Sequence, residues 1–142
     1  MVVSRVFWDT SLLLHLIQDR SPLADRVARL RRRMLARGDQ LLVSALTLGE
    51  LDVKPLEARD DRLRLRVESA LTRGAMIVPF DDDAARWYAA IRQDPRIQAP
   101  DAIQLACAAR GHADLFITND DRLSNAIVPG VQFVTSIERA VL

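Results

Sequence analysis

The sequence predicts an α/β fold in which a parallel sheet carries helices on both faces. Two observations point there. Five short apolar runs recur along the chain, Val6–Trp8, Leu41–Val43, Met76–Val78, Leu115–Ile117 and Val131–Val134, most of them continuous rather than alternating. Strands buried on both faces read that way. Between the runs lie longer stretches with apolar residues at helical spacing, and strand–helix alternation of this kind builds parallel sheets. A third observation sets the scale: 142 residues, 49% hydrophobic and 27% charged, suffice for a core of their own. No composition shift, low-complexity tract or internal repeat divides the chain, so one domain is expected over residues 1–142.

Each element has its own signal. Val6–Trp8 is the first expected strand, and a helix begins at Thr10-Ser11. Ser21-Pro22 reads as the N-cap and first turn of a second helix, in which Leu23, Val27, Leu30 and Met34 recur at helical spacing and which Gly38 stops. Leu41–Val43 leads into a short helix over 46–51. Leu63, Val67 and Leu71 mark the next helix, ending near Gly74. Beyond Met76–Val78, the residues Ala84, Trp87, Tyr88 and Ile91 form another apolar stripe. The acid run Asp81-Asp82-Asp83 directly before it reads as helix capping rather than a metal site. Residues 101–110 form an Ala-rich helix between Pro100 and Gly111, whose small side chains permit close packing and a central place. Leu115–Ile117 and Val131–Val134 complete the sheet.

Composition excludes several classes. The single cysteine, Cys107, rules out an internal disulfide framework, and no Cys/His cluster suggests zinc. No apolar run approaches the roughly 18 residues of a membrane span. Arg5 and Asp9 interrupt any leader-like apolar region, so the cytoplasm is the expected compartment. The net charge of +1 says little about partners, but 19 of the 20 basic residues are Arg and Lys54 is the one Lys. Arginine suits phosphate recognition through its planar fork. Arg26, Arg29, Arg31, Arg32, Arg33 and Arg37 fall on the second helix, and Arg59, Arg62, Arg64, Arg66 and Arg73 on or beside the next long one. They read either as solvated helix faces or as a rim for phosphates.

In an open parallel sheet, ligands bind beyond the carboxyl ends of the strands. Asp9 follows Val6–Trp8 directly, Glu50 lies just past Leu41–Val43, and Asp120 follows Leu115–Ile117 and Thr118-Asn119. Asp101 opens the Ala-rich helix that leads into that last strand. Four carboxylates from four distant segments therefore have a route to one edge. Converging carboxylates resist joint ionisation, and a divalent cation resolves the conflict. An oxygen-only set favours Mg²⁺ or Mn²⁺ over zinc, and such a site suits phosphodiester hydrolysis. Each acid also has a purely structural reading. Asp9 can cap the helix at Thr10, Glu50 can close a capping box Thr47-x-x-Glu50, Asp101 can complement a helix dipole, and Asp120 can serve a turn. His15 reads as a core or interface residue, His112 as a dipole contact at a helix end, and Cys107 as a small buried hydrophobe. Trp8, Trp87, Tyr88 and Phe80 read as core or interface. With no side-chain base evident, metal-activated water is left as the nucleophile.

At these residues the sequence resembles the PIN-domain family, in particular the toxin ribonucleases of VapBC toxin–antitoxin pairs. The matching pieces are Trp8-Asp9-Thr10-Ser11, Ser44-x-x-Thr47-x-x-Glu50-Leu51, Pro100-Asp101-Ala102-Ile103-Gln104-Leu105-Ala106 and Thr118-Asn119-Asp120. They stand in the family's order, and the resemblance spans residues 8 to 123. It implies a three-layer α/β/α fold with a five-stranded parallel sheet, endoribonuclease activity dependent on Mg²⁺ or Mn²⁺, and neutralisation by an antitoxin protein. Asp9, Glu50, Asp101 and Asp120 would form the acidic centre, with Ser11 and Thr118 as hydroxyls that hold carboxylates or bound water in place. Asp121 adjoins that centre, and its part is left open. Leu123 stands where the family often has an aromatic. A homodimer is also expected from the resemblance.

Two rival readings remain. A non-catalytic PIN-like module would bind RNA or protein without cutting it. A Mg²⁺-dependent phosphatase would use Asp9 as a covalent nucleophile, but it expects a second Asp two residues on, where Ser11 stands, and a late phosphate-binding Lys.

Overall fold

The chain enters the sheet at its middle and builds outwards twice. The computed structural model describes residues 3–18, 21–140 and 142. β1 (Arg5–Trp8) is followed by α1 (Thr10–Gln18) and α2 (Pro22–Arg37), then β2 (Gln40–Ser44), α3 (Ala45–Glu57), α4 (Asp61–Gly74) and β3 (Met76–Val78). The second half runs through α5 (Asp82–Ile91), α6 (Ala99–Arg110), β4 (Leu115–Thr118) and β5 (Val134–Ser136). All four strand pairings are parallel, in the order β3-β2-β1-β4-β5. The expected five-stranded α/β/α architecture is what the chain adopts. The order reverses between β1 and β4, and that crevice is where such sheets bind ligands.

Side-chain alternation along the strands explains the two helical layers. Val6, Trp8, Leu41, Val43 and Ile117 face one way and pack with Val27, Leu30, Met34, Leu51, Val67 and Leu71 from α2, α3 and α4. Phe7, Leu42 and Phe116 face the other way, onto Ile91 of α5 and the Ala102–Ala109 run of α6. Phe7 and Phe116 stack across β1 and β4 with centroids 5.3 Å apart. The alanines of α6 allow it to lie close against the sheet, and Cys107 is buried among them, its thiol pushed up to about 12 chiefly by burial. No helix among the described residues is long and apolar enough to cross a membrane.

Helix ends follow the local chemistry. The Ser21 hydroxyl accepts from the Ala24 N–H, and Gly38 closes α2 in the left-handed region at φ 79°. The Asp81 carboxylate accepts from the Ala84 N–H and pairs with Arg110, so the acid run begins as an N-cap, as read from sequence.

Three expectations need correction. The last strand is Val134–Ser136 rather than Val131–Val134. The Phe116 N–H donates to the Phe133 carbonyl and Phe116 registers with Val134, so pairing with β4 begins only there, while Val131 bridges back to Val128 in a turn. The helix expected over 46–51 runs from Ala45 to Glu57, because Leu51 and Pro55 bury on one stripe and carry it past the acid. The Thr47-x-x-Glu50 capping box is not formed: Ser44 is the N-cap and its hydroxyl accepts from the Thr47 N–H. Gly111 does not adopt a left-handed conformation. His112 does, at φ 55°, and Gly111 is needed instead because a Cβ there would lie 2.8 Å from Leu42 Cδ2. Leu123 is buried in the α6-side core.

Candidate metal centre at the carboxyl edge of the sheet

Asp9, Glu50, Asp101 and Asp120 line one open cleft of about 330 Å³, together with Thr10, Ser11, Gln104 and Asn119. Asp9 and Asp120 are delivered by the ends of β1 and β4, on either side of the reversal of strand order. Glu50 comes from α3, and Asp101 from the first turn of α6. Asp121 is exposed and is not among the lining residues.

Each acid is held differently. Asp9 Oδ2 accepts from Thr118 Oγ1 at 2.7 Å, and Asp9 Oδ1 accepts from the Ser11 N–H at 3.3 Å. Thr118 Oγ1 also accepts from the Asp120 N–H at 3.0 Å, so one hydroxyl ties the two strand ends together. Glu50 Oε1 accepts from Thr10 Oγ1 at 2.9 Å and from Gln104 Nε2 at 3.3 Å. Asp120 takes the Arg122 guanidinium at 2.5 Å, and the same group lies 3.8 Å from Asp101. Ser11 contributes through its backbone rather than its hydroxyl, whose oxygen is buried and lacks a partner among the described residues.

Beneath Glu50 lies a polar network that sequence reading did not single out. Gln104 Nε2 donates to Thr10 Oγ1 at 2.9 Å and to Thr47 Oγ1 at 3.1 Å, while Ser44 Oγ donates to Gln104 Oε1 at 2.8 Å. All four residues are buried. Such a network holds its members rigid only while every polar group is satisfied. A glutamine three residues after Asp101, in a helix otherwise rich in alanine, was the signal available in sequence.

The electrostatics record the crowding. The Asp101 carboxyl sits above the usual range, first because of burial and then because of the Asp120 and Asp9 charges; Arg122 opposes the rise and Glu50 adds to it. Asp120 moves the other way, held low mainly by the hydrogen bond from Arg122. One acid of the cleft is thus penalised for its charge and another is compensated. The donor set is all oxygen, which suits Mg²⁺ or Mn²⁺, and Mg²⁺ needs only one or two direct carboxylates with water completing its shell. Among the described residues, no three acidic, imidazole or thiol side chains converge as a ready-made ligand set.

The helical arginines stand elsewhere. Arg31 donates to the Gly74 carbonyl, Arg33 to the Leu142 carbonyl, Arg26 pairs with Glu138 and Arg37 with Asp39. None of them lines the acidic cleft.

A family model described as PIN domain matches residues 6–127. No curated protein matches the chain. Among solved structures, VapBC2 from Rickettsia felis bound to a DNA fragment from its promoter superposes with a TM-score of 0.72 at 15% identity, covering 92% of this chain and 97% of that one. A toxin–antitoxin complex from Klebsiella pneumoniae gives 0.67 at 26% identity, with 89% and 94% covered. DNA-bound VapBC from Salmonella typhimurium gives 0.68 at 19% identity, with 95% and 99% covered.

Proposed function

The chain belongs to the PIN-domain family, and on that premise we propose that it is a divalent-metal-dependent endoribonuclease, the toxin of a toxin–antitoxin pair. The observation that carries this reading is the cleft itself: four carboxylates from four separate segments line one opening at the crevice where strand order reverses. Capping and turn formation do not require that they meet.

Asp9, Asp101 and Asp120 would hold the cation directly or through water, and Glu50 would join them or orient the attacking water. Bound Mg²⁺ or Mn²⁺ supplies Lewis-acid activation of water and stabilises charge developing on a phosphodiester. The chain's own work is positional. Thr118 holds the Asp9 carboxylate and the Asp120 backbone in one register, while Thr10 and Gln104 fix Glu50. Lining side chains from α1, α3 and α6 leave the cleft open to solvent.

The structural neighbours are complexes of toxins with antitoxins, which supports a protein antitoxin as the partner. RNA is the proposed substrate and a homodimer the proposed assembly, with residues 1–142 acting as one catalytic domain in the cytoplasm. The test is cleavage of total RNA by purified, antitoxin-free protein with Mg²⁺, with Mn²⁺ and with EDTA, alongside Asp101→Asn. Fragments that require both metal and Asp101 support the nuclease. Metal-independent RNA binding without cleavage, by folded protein, would replace it with a binding module.

A further inference from the structure

Arg122 sits two residues beyond Asp120, and its contacts exceed what a turn requires. Its N–H donates to Asp120 Oδ1 at 2.9 Å, an ordinary local bond in a turn of this kind. Its side chain then doubles back: Nε lies 3.0 Å from Oδ1 and Nη2 lies 2.5 Å from Oδ2, a fork on both carboxylate oxygens. The same Nη2 stands 3.8 Å from Asp101 Oδ2, on α6. One guanidinium therefore addresses two acids of the cleft that are 19 residues apart in the chain. Its side chain is 66% exposed, so the carboxylates hold it there rather than packing.

We infer that Arg122 is a resident counter-cation of the acidic cleft, neutralising Asp120 and Asp101 in the metal-free protein and yielding them to an entering divalent cation. This rests on the metal-binding reading above. The physical argument is competition for the same oxygens. A bidentate guanidinium occupies the lone pairs that a cation would need on Asp120. A pair this exposed is weak enough to be displaced. A divalent ion outbids a single delocalised charge for crowded carboxylates, and the guanidinium then swings to solvent at modest cost. In the interval the acids do not face each other unscreened.

The consequence is an affinity tuned down by the chain itself. Removing the guanidinium removes both the competitor and a like charge near the cation. Mn²⁺ should therefore bind Arg122→Gln about five- to tenfold more tightly than wild type at low ionic strength. Arg122→Lys keeps the charge but loses the fork, so its affinity should fall between the two. The experiment is a calorimetric or electron paramagnetic resonance titration of Mn²⁺ into wild type, R122Q, R122K and D101N. Melting curves in EDTA and in saturating Mn²⁺ accompany it. R122Q should melt lower than wild type in EDTA and show the larger Mn²⁺-induced rise. Equal Mn²⁺ affinity in wild type and R122Q, with D101N weakened, would overturn the counter-cation and leave the metal centre standing. Unchanged affinity in D101N as well would overturn both. Should R122Q fail to fold, R122K against wild type decides the same question, tighter binding supporting the inference and equal binding ending it.

Discussion

The two ends of the sheet carry the same residue type to opposite effect. At the amino end, Asp39 precedes β2 and Asp114 precedes β4. Asp39 accepts from the Ser4 N–H at 3.0 Å and from Arg37 Nε at 2.9 Å, and its side chain is fully buried. Asp114 accepts from the Arg5 N–H at 2.8 Å. Arg5 itself is spent on the Gly111 carbonyl and on Gln40. Acids at this end fasten one strand to the next. At the carboxyl end, Asp9 and Asp120 follow their strands, and with Glu50 and Asp101 they line a cleft open to solvent. Backbone N–H groups reach Asp9 and Asp120, and the Asp101 carboxyl is pushed up first by burial and then by the Asp120 and Asp9 charges. An acid tied to the backbone at the start of a neighbouring strand is an anchor. An acid facing other acids across an opening has lone pairs to offer.

Substitutions can break or sharpen that contrast. The largest effect is expected for Asp101→Asn, which should lower RNA cleavage on the order of a thousandfold while the melting temperature holds or rises, since a crowded charge is removed. Its counterpart is Asp39→Ala, which should leave cleavage by folded protein intact and cost about 1–3 kcal/mol in a urea titration, because the Ser4 N–H loses its acceptor. If Asp39→Ala abolished cleavage at full stability, the two ends would not be functionally distinct.

Between these extremes lies Gln104→Leu. It strips donors from Thr10, Thr47 and Glu50 while keeping the volume. A loss of about 2–3 kcal/mol and a ten- to hundredfold fall in cleavage are expected, measured on the same preparation by urea titration and RNA cleavage. Gly111→Ala, at the amino end, should cost about 1–3 kcal/mol through its clash with Leu42 and Val78 and leave the activity of folded molecules alone.

The smallest effect is a pH dependence. Asp81 is held below the usual carboxylate range, first by capping the Ala84 N–H, with burial opposing and Arg110 assisting. A lowered folded value means that its stabilisation is complete above the unfolded value of about 3.9 and is lost as pH falls through the folded one. Asp81→Asn can still cap, so melting temperatures near neutrality should barely change. Below about pH 4 the variant's curve should be flatter than wild type. Parallel curves would remove Asp81 from the acid sensitivity of the fold.

Much of this molecule was legible in sequence for local reasons. The apolar runs at Val6, Leu41, Met76 and Leu115 are strands because both faces of the sheet are covered. Ser21, Pro22 and Gly38 bound α2 by capping chemistry that acts within a few residues. Three of the acids were legible because Asp9 and Asp120 lie just past strand ends and Asp101 opens a helix, whereas Glu50 sits inside α3. What escaped was set by distant partners. Val131–Val134 is as apolar as a strand, but only the register against Phe116 decides where pairing starts. Thr47-x-x-Glu50 fits a capping box along the chain, but it is Ser44 that caps α3. Gln104 is joined to Thr10 across 94 residues, and no spacing rule links them.

The sequence by itself determined where four of the five strands and the main helices fall, that one parallel sheet is covered on both sides, and which acids are delivered to its carboxyl edge. Those properties follow from burial pattern, caps and chain order, each readable along the chain. Only the tertiary structure decided which polar groups hold those acids, that Thr118 spans two strand ends, and that Arg122 reaches from one acid to another. Hydrogen bonds and ion pairs depend on distances of a few ångströms between segments far apart in sequence, and those distances exist only once the layers have packed.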